Sequence, residues 1–227
     1  MSKDNEPLSN AIMTLSKISV PNISDAMAKG LSKKLKHQTM DSGIMPIDRS
    51  FKVCAPAYTV RCYPGATWAM ELAVEQAPAG SVIVCDAQGS DAGVMMGELM
   101  SATAKVRGVV GAVIDGAVRD IEEVIKMKFP LFSRHIVARS GTFDQIGDVQ
   151  ISITCGGVVI NPGDIVAGDC NGVTIIPKEI INQVAQASLA LSKWEDNIFQ
   201  LIQKGKTLSE AAKAFPKPPI LEVCPNL

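Results

Sequence analysis

Apolar positions along the chain change period several times, and each change marks an element. In SNAIMTLSKIS (9–19) they recur at helical spacing. Ser24 and Asp25 then read as the cap of a short helix through Met27 and Ala28. FKVCAPAYTVRCYP (51–64) is rich in β-formers and bounded by prolines and glycine. ATWAMELAVEQA (66–77) returns to a helical pattern and is closed by the break Pro78-Ala79-Gly80. SVIVCDA (81–87) is a continuous apolar run, the pattern of a strand buried on both faces.

A glycine-rich passage, GSDAGVMMG (89–97), comes next and reads as a loop. The helix that follows, through LMSATAKVRG, shows Leu99, Ala102 and Val106 as its apolar stripe. VVGAVIDG (109–116) predicts a second doubly buried strand, 119–128 a helix, and FPLFSRHIV (129–137) a further strand. The order β-α-β-α-β over 81–137 predicts a parallel, layered α/β core. Residues 150–177 change texture. They are short strands with turns at Pro162-Gly163-Asp164 and Cys170-Asn171-Gly172, a β-meander or the edge of a small barrel. A long helix is predicted from Lys178 to about Lys204. The proline-rich tail FPKPPILEVCPNL is expected to lie extended against the surface or a neighbour. The whole, 1–227, reads as a single domain with an N-terminal helical segment (about 1–30) and a C-terminal helix and tail (about 178–227).

Composition narrows the chemistry. With 47% hydrophobic and 20% charged residues the 227-residue chain is built to bury a core. A net charge of −1 and no basic stripe argue against nucleic acid as a direct ligand. MSKDNEPLSN has no apolar signal region and no run of about 18 apolar residues occurs, so neither secretion nor a membrane helix is expected. The six cysteines (54, 62, 85, 155, 170, 224) lack CxxC pairing and read as reduced thiols of a cytoplasmic protein, several acting as small hydrophobes. Only two histidines are present. His135 reads as structural and His37, in KKLKH, as solvated, which leaves acid–base work to carboxylates, lysines, water or a hard metal ion.

Ligands of open α/β sheets sit at the carboxyl ends of strands. Two such ends follow closely in sequence: Cys85-Asp86 with its glycine passage, and Asp115-Gly116 leading to Arg119-Asp120. If the two strands are neighbours, both open on one crevice. Amides at the start of the helix after Gly97 would face an anion. Arg119 adds a planar cation suited to a carboxylate or enolate, Asp120 a hard oxygen ligand for Mg²⁺, and Glu98 a further acid. Each also has a plainer reading: Arg119 and Asp120 as a helix start, Glu98 as a first-turn acid, the glycines as tight turns. No Walker A or G-x-G-x-x-G pattern is present, so nucleotide binding is not indicated.

The run GELMSATAKVRGVVGAVIDGAVRD resembles the signature of the family of 4-hydroxy-4-methyl-2-oxoglutarate aldolases and regulators of ribonuclease E activity A, and PGDIVAGDCNGVTIIP is similar to its second motif. The resemblance covers roughly 20–210. It implies an RraA-like, phosphohistidine-swivelling-like fold: a layered α/β/α core with parallel strands in the middle, a C-terminal β-meander and a long helix. It also implies a metal-dependent pyruvate aldolase with oxaloacetate decarboxylase side activity. On that resemblance Asp120 holds Mg²⁺ or Mn²⁺, Arg119 binds the pyruvoyl oxygens, and the amides of Gly97, Glu98, Leu99 and Met100 hold the substrate carboxylate. Glu98 stands where the aldolase pattern has Asp, one methylene longer, and could polarise a metal-bound water. The resemblance further implies a homotrimer or hexamer with sites between subunits, Glu195 of a neighbour completing the metal shell. The expected partner is a small oxo-acid, with no nucleic acid and no membrane. The alternatives are a non-catalytic regulator that docks on a ribonuclease or helicase, and a lyase or hydrolase acting on another small oxo-acid.

Overall fold

The computed structural model describes residues 5–216 and Pro218. Seven helices are found among them. They are α1 (Asn5–Leu15), α2 (Val20–Asp25), α3 (Trp68–Gln76), α4 (Glu98–Val106), α5 (Ile121–Lys126), α6 (Ile181–Gln203) and α7 (Leu208–Ala214). The strands are β1 (Met45–Pro46), β2 (Val53–Arg61), β3 (Val82–Met96), β4 (Gly111–Val118), β5 (Leu131–Ile136), β6 (Asp148–Val149), β7 (Ile153–Cys155), β8 (Val158–Ile160), β9 (Ile165–Asp169) and β10 (Gly172–Ile176). Contacts divide the chain into two compact units, Met1–Gln38 with Ile180–Leu227, and Thr39–Glu179.

The first unit is helical, with α1 and α2 packed on α6. The apolar stripe of α6 buries Ile181, Val184, Leu191 and Ile198. Its α-helical run begins at Ile181 because Lys178–Ile180 forms a 3-10 turn. Asp25 holds the cap position of a π-helical turn through Met27 and Ala28 but makes no side-chain cap bond there. Ser24 and Asp25 lie in the last turns of α2, which starts earlier at the Ser19 cap with a proline in its first turn and runs on into a π-helical turn, Ala26–Leu31. Proline is pre-set for a helix start and lacks the amide that would go unpaired there. α7 opens on a capping box between Thr207 and Glu210. The tail beyond Pro216, apart from Pro218, lies outside the described residues, as does Cys224.

The second unit holds a mixed sheet in the order β1-β5-β4-β3-β2-β9-β10, with β6 also on β2 and β7–β8 a separate hairpin. β2, β3, β4 and β5 run parallel, whereas β9 joins β2 antiparallel. The continuous apolar runs have the predicted cause: side chains alternate between two cores. Ile83, Cys85, Ala112 and Ile114 pack with Met70 and Ala73 of α3 and Ala104 of α4. Val82, Val84 and Val113 pack with Ile153, Ile160, Val166 and Ile175 of the meander. Each fully buried Val or Ile contributes roughly 1.5–3 kcal/mol of transfer free energy.

Two expectations change. The glycine-rich passage is strand rather than loop: β3 continues to Met96 through three register shifts against β4. Small residues let a bulged strand stay paired where side chains would crowd it. The stripe Leu99, Ala102, Val106 does not face the core. Leu99 and Val106 are 81% and 88% exposed, while Ser101 and Ala104 are buried. Small side chains on the inward face let α4 lie close to its neighbours. No helix among the described residues is long and apolar enough to cross a membrane.

Candidate active site

The site forms where β3 and β4 end together. Their last paired residues are Met96 and Val118, and the Arg119 amide then donates to the Met96 carbonyl at 3.1 Å. Gly97 and Arg119-Asp120 therefore leave adjacent parallel strands side by side. Asp120 takes a left-handed conformation (φ 56°, ψ 38°) at the start of α5, and its side chain does not cap that helix. It turns back instead: Oδ2 accepts from the Glu98 amide at 3.1 Å, with Arg119 Nε at 3.4 Å. The residue at the cap of α4 is Gly97, which has no side chain to offer. Asp120 supplies the missing cap from the next strand, satisfying an amide that the helix itself leaves unpaired. A Cβ at 97 would lie 2.5 Å from Asp120 Oδ2, so any side chain there would push the capping carboxylate aside. Left-handed backbone in a non-glycine residue is held by its surroundings and gathers at functional positions.

Gly97, Glu98, Leu99, Met100, Arg119 and Asp120 line one cavity of about 310 Å³, of a size for a small molecule. One detail differs from expectation. The Glu98 amide is engaged by Asp120 rather than left for an anion, so of the first-turn amides only those of Leu99 and Met100, both residues on the cavity lining, are left to serve one. Glu195 belongs to the other unit, on α6, where its Oε2 accepts from Asn22 Nδ2 at 2.8 Å.

The structure adds residues that periodicity did not single out: Thr67 and Glu71 at the start of α3, and Ser140 and Phe143 in the segment after β5. That segment is bound tightly. The Thr67 amide and hydroxyl both donate to the Thr142 carbonyl at 2.8 and 3.1 Å, and the Val94 amide donates to the Arg139 carbonyl at 3.2 Å. A Cβ on Gly141 would lie 2.5 Å from the Thr67 methyl and 2.6 Å from the Val94 carbonyl. Arg119 Nη1 donates to Ser140 Oγ at 3.3 Å. The signal in sequence was the pair Ser140-Gly141, legible only once the crossing with Gly65–Thr67 is known.

A second polar cluster lies earlier along the same two strands. Asp86 and Asp115 are opposite each other in the β3–β4 register. Asp115 accepts from Arg134 Nε at 2.6 Å and from the Gly156 amide at 2.7 Å, and Arg134 reaches on to Asp41 at 3.3 Å. Hydrogen bonding to Asp115 holds the Arg134 guanidinium above its ordinary value. Burial raises the Asp86 carboxyl, with the charge of Asp115 adding to the effect. The Gly43 amide and Arg134 hold Asp41 below the usual carboxylate range. His135 Nε2 lies 3.1 Å from the Gly89 carbonyl, a structural contact. Burial pushes the Cys54 thiol up to about 12. A hydrogen bond with Cys62 and burial raise Cys85, and burial raises Cys155. These thiols act as core filling rather than nucleophiles.

Among the described residues no three His, Cys, Asp or Glu side chains converge as a metal cage. Asp120, 38% exposed on the cavity, is the carboxylate here that could hold a hard divalent cation, with water filling most of the shell, the mode typical of Mg²⁺.

Comparison with known proteins agrees with the fold. An uncharacterized protein of Methanocaldococcus jannaschii is 33% identical over 88% of this chain and 92% of its own length. A protein of Halalkalibacterium halodurans named "Putative 4-hydroxy-4-methyl-2-oxoglutarate aldolase" is 39% identical over 61% of this chain and 66% of its own. The crystal structure of an uncharacterized protein from Pseudomonas syringae superposes with a TM-score of 0.82 at 28% identity, covering 91% of this chain and 94% of that one. The model of the RraA-like family, described as Aldolase/RraA, matches residues 20–175, and with the strand-end site just described the chain belongs to that family.

Proposed function

We propose that the chain is a divalent-cation-dependent carbon–carbon lyase that releases pyruvate from 4-hydroxy-2-oxo acids, the class that includes 4-hydroxy-4-methyl-2-oxoglutarate, with oxaloacetate decarboxylation as a side reaction. The observation that carries this reading is the convergence of Arg119, Asp120 and Glu98 with the amide end of α4 in one small cavity. The cation, Mg²⁺ or Mn²⁺, would supply Lewis-acid stabilisation of negative charge on the 2-oxo group. Arg119, fixed by Asp120 and Ser140, points a planar donor at the same oxygens. The free first-turn amides of α4 orient the substrate carboxylate. Glu98, exposed at the start of α4, takes the C4 hydroxyl proton directly or through a water. Completion of the cation's shell by Glu195 of the partner subunit, in a trimer or hexamer, belongs to the same reading.

The test is exchange of pyruvate methyl protons in D₂O, which needs only the pyruvoyl end of the site, together with CO₂ release from oxaloacetate. Both should require Mg²⁺ or Mn²⁺, stop with EDTA and be lost in Asp120→Ala. Exchange indifferent to EDTA and to that substitution refutes the proposal.

A further inference from the structure

The helical unit carries a groove of its own, between α1 and α6, of about 270 Å³. Its floor is small and buried: Ala11 and Ala185 are 5% and 6% exposed. Exposed carboxamides stand along its walls, Asn10 on α1 and Asn182 and Gln186 on α6, with Leu189 at one end. Alanines let a backbone come close. Carboxamides both donate and accept, as the peptide groups of an extended segment do. The chain itself supplies such a segment. α7 ends at Ala214, and Phe215 is extended (φ −125°, ψ 98°). The Phe215 carbonyl accepts from Trp194 Nε1 at 2.8 Å, so the chain leaves α7 tied to α6. Pro218, the last described residue, is half-buried. Residues 216–227 follow Phe215, and at about 3.3 Å each they can span roughly 40 Å. Along the axis of α6, Gln186 is about 12 Å and Asn182 about 18 Å from Trp194, so the groove is within reach even with the way round the helix.

We propose that this groove is a peptide-docking surface and that its occupant is the chain's own C-terminal segment 220–223, ILEV, laid in as an extended strap. Prolines at 216, 218 and 219 disfavour a helix leading into it. Leu221 and Val223 fall on one face of an extended run and Glu222 on the other. The two apolar side chains cover the Ala11–Ala185 floor, Glu222 points to water, and the carboxamides of Asn10, Asn182 and Gln186 pair with the peptide groups between. The strap ties the first helix of the chain to its last long one. It is independent of the chemistry at the strand-end cavity.

Cys224, one residue beyond the strap, is a native reporter. In the full-length chain Gln186→Cys should form a disulfide with Cys224 under oxidised glutathione roughly tenfold faster than Gln200→Cys does, because docking raises the local thiol concentration at the groove. Gln200 is exposed on the same helix and, at about 9 Å along the axis, nearer the Trp194 anchor than Gln186 is, so a tail without a seat would favour it. The linked peptides are identified by mass spectrometry, with Cys224→Ser as the control and with isotope-labelled and unlabelled chains mixed to tell linkage within a chain from linkage between chains. A second measurement needs no new side chain. In the chain ending at Pro218, which keeps the Phe215 anchor, amide hydrogen exchange over α1 should rise roughly tenfold while β2 to β5 keep their protection. Equal linkage at the two positions, linkage between chains, or unchanged exchange over α1 overturns the proposal.

Discussion

Asp115 lies within β4 and Asp120 just beyond its end, yet the two carboxylates meet opposite fates. Asp115 is 9% exposed in its side chain and holds two short bonds, from Arg134 at 2.6 Å and the Gly156 amide at 2.7 Å. Asp120 is 38% exposed and holds one amide at 3.1 Å, with its arginine at 3.4 Å. A buried, fully paired carboxylate ties elements together, here β4, β5 and the turn after β7, and its charge is spent on that. A half-paired carboxylate on a cavity keeps coordination capacity for something else. The same contrast holds for their arginines. Arg134 is 20% exposed between two acids, while Arg119 is 40% exposed and faces a ligand space. Residue type and strand position alone do not separate the pairs; satisfaction does.

Substitutions can break that contrast. The largest effect is expected from Arg119→Ala, which should lower oxaloacetate decarboxylation by about 10²–10³-fold, the cost of losing one preorganised donor, with Tm unchanged by thermal melting. Asp115→Ala should do the reverse. Leaving Arg134 without its inner partner should cost about 3 kcal/mol in urea unfolding, while kcat falls only as far as folded protein is lost. If instead Asp115→Ala abolished turnover at full stability, the division of labour would be wrong. Gly97→Ala should sit between them. With a Cβ 2.5 Å from Asp120 Oδ2, the cap of α4 is displaced and turnover should drop about tenfold for a modest loss of Tm. Asp41→Asn should be smallest and pH-dependent. The folded carboxyl of Asp41 lies below its ordinary 3.8, so its contribution is present above that value and lost as pH falls through the folded one. The Tm difference from wild type should therefore be seen at pH 7 and shrink below about pH 4.

Much of the core is legible in the sequence. SVIVCDA and VVGAVIDG read as doubly buried neighbours because strands covered on both faces have no polar side to show, and they pair in parallel through Val82 and Gly111. Less legible were features set by close approach. The passage 89–97 contains the residues of a loop but stays paired, because β4 beside it supplies the ladder. Leu99 and Val106 follow a helical stripe, yet the smaller Ser101 and Ala104 are the ones buried. Ser140 and Thr67 meet through a crossing that no spacing in sequence encodes.

The sequence by itself determined the alternation of elements and the buried strands, because burial periodicity is a local property of the chain. It also placed Gly97, Glu98, Arg119 and Asp120 at strand ends. Tertiary structure alone decided that Asp115 is spent on Arg134 while Asp120 caps α4 and faces the cavity. That decision depends on which backbone amides and guanidinium groups arrive beside each carboxylate, and these come from residues distant along the chain.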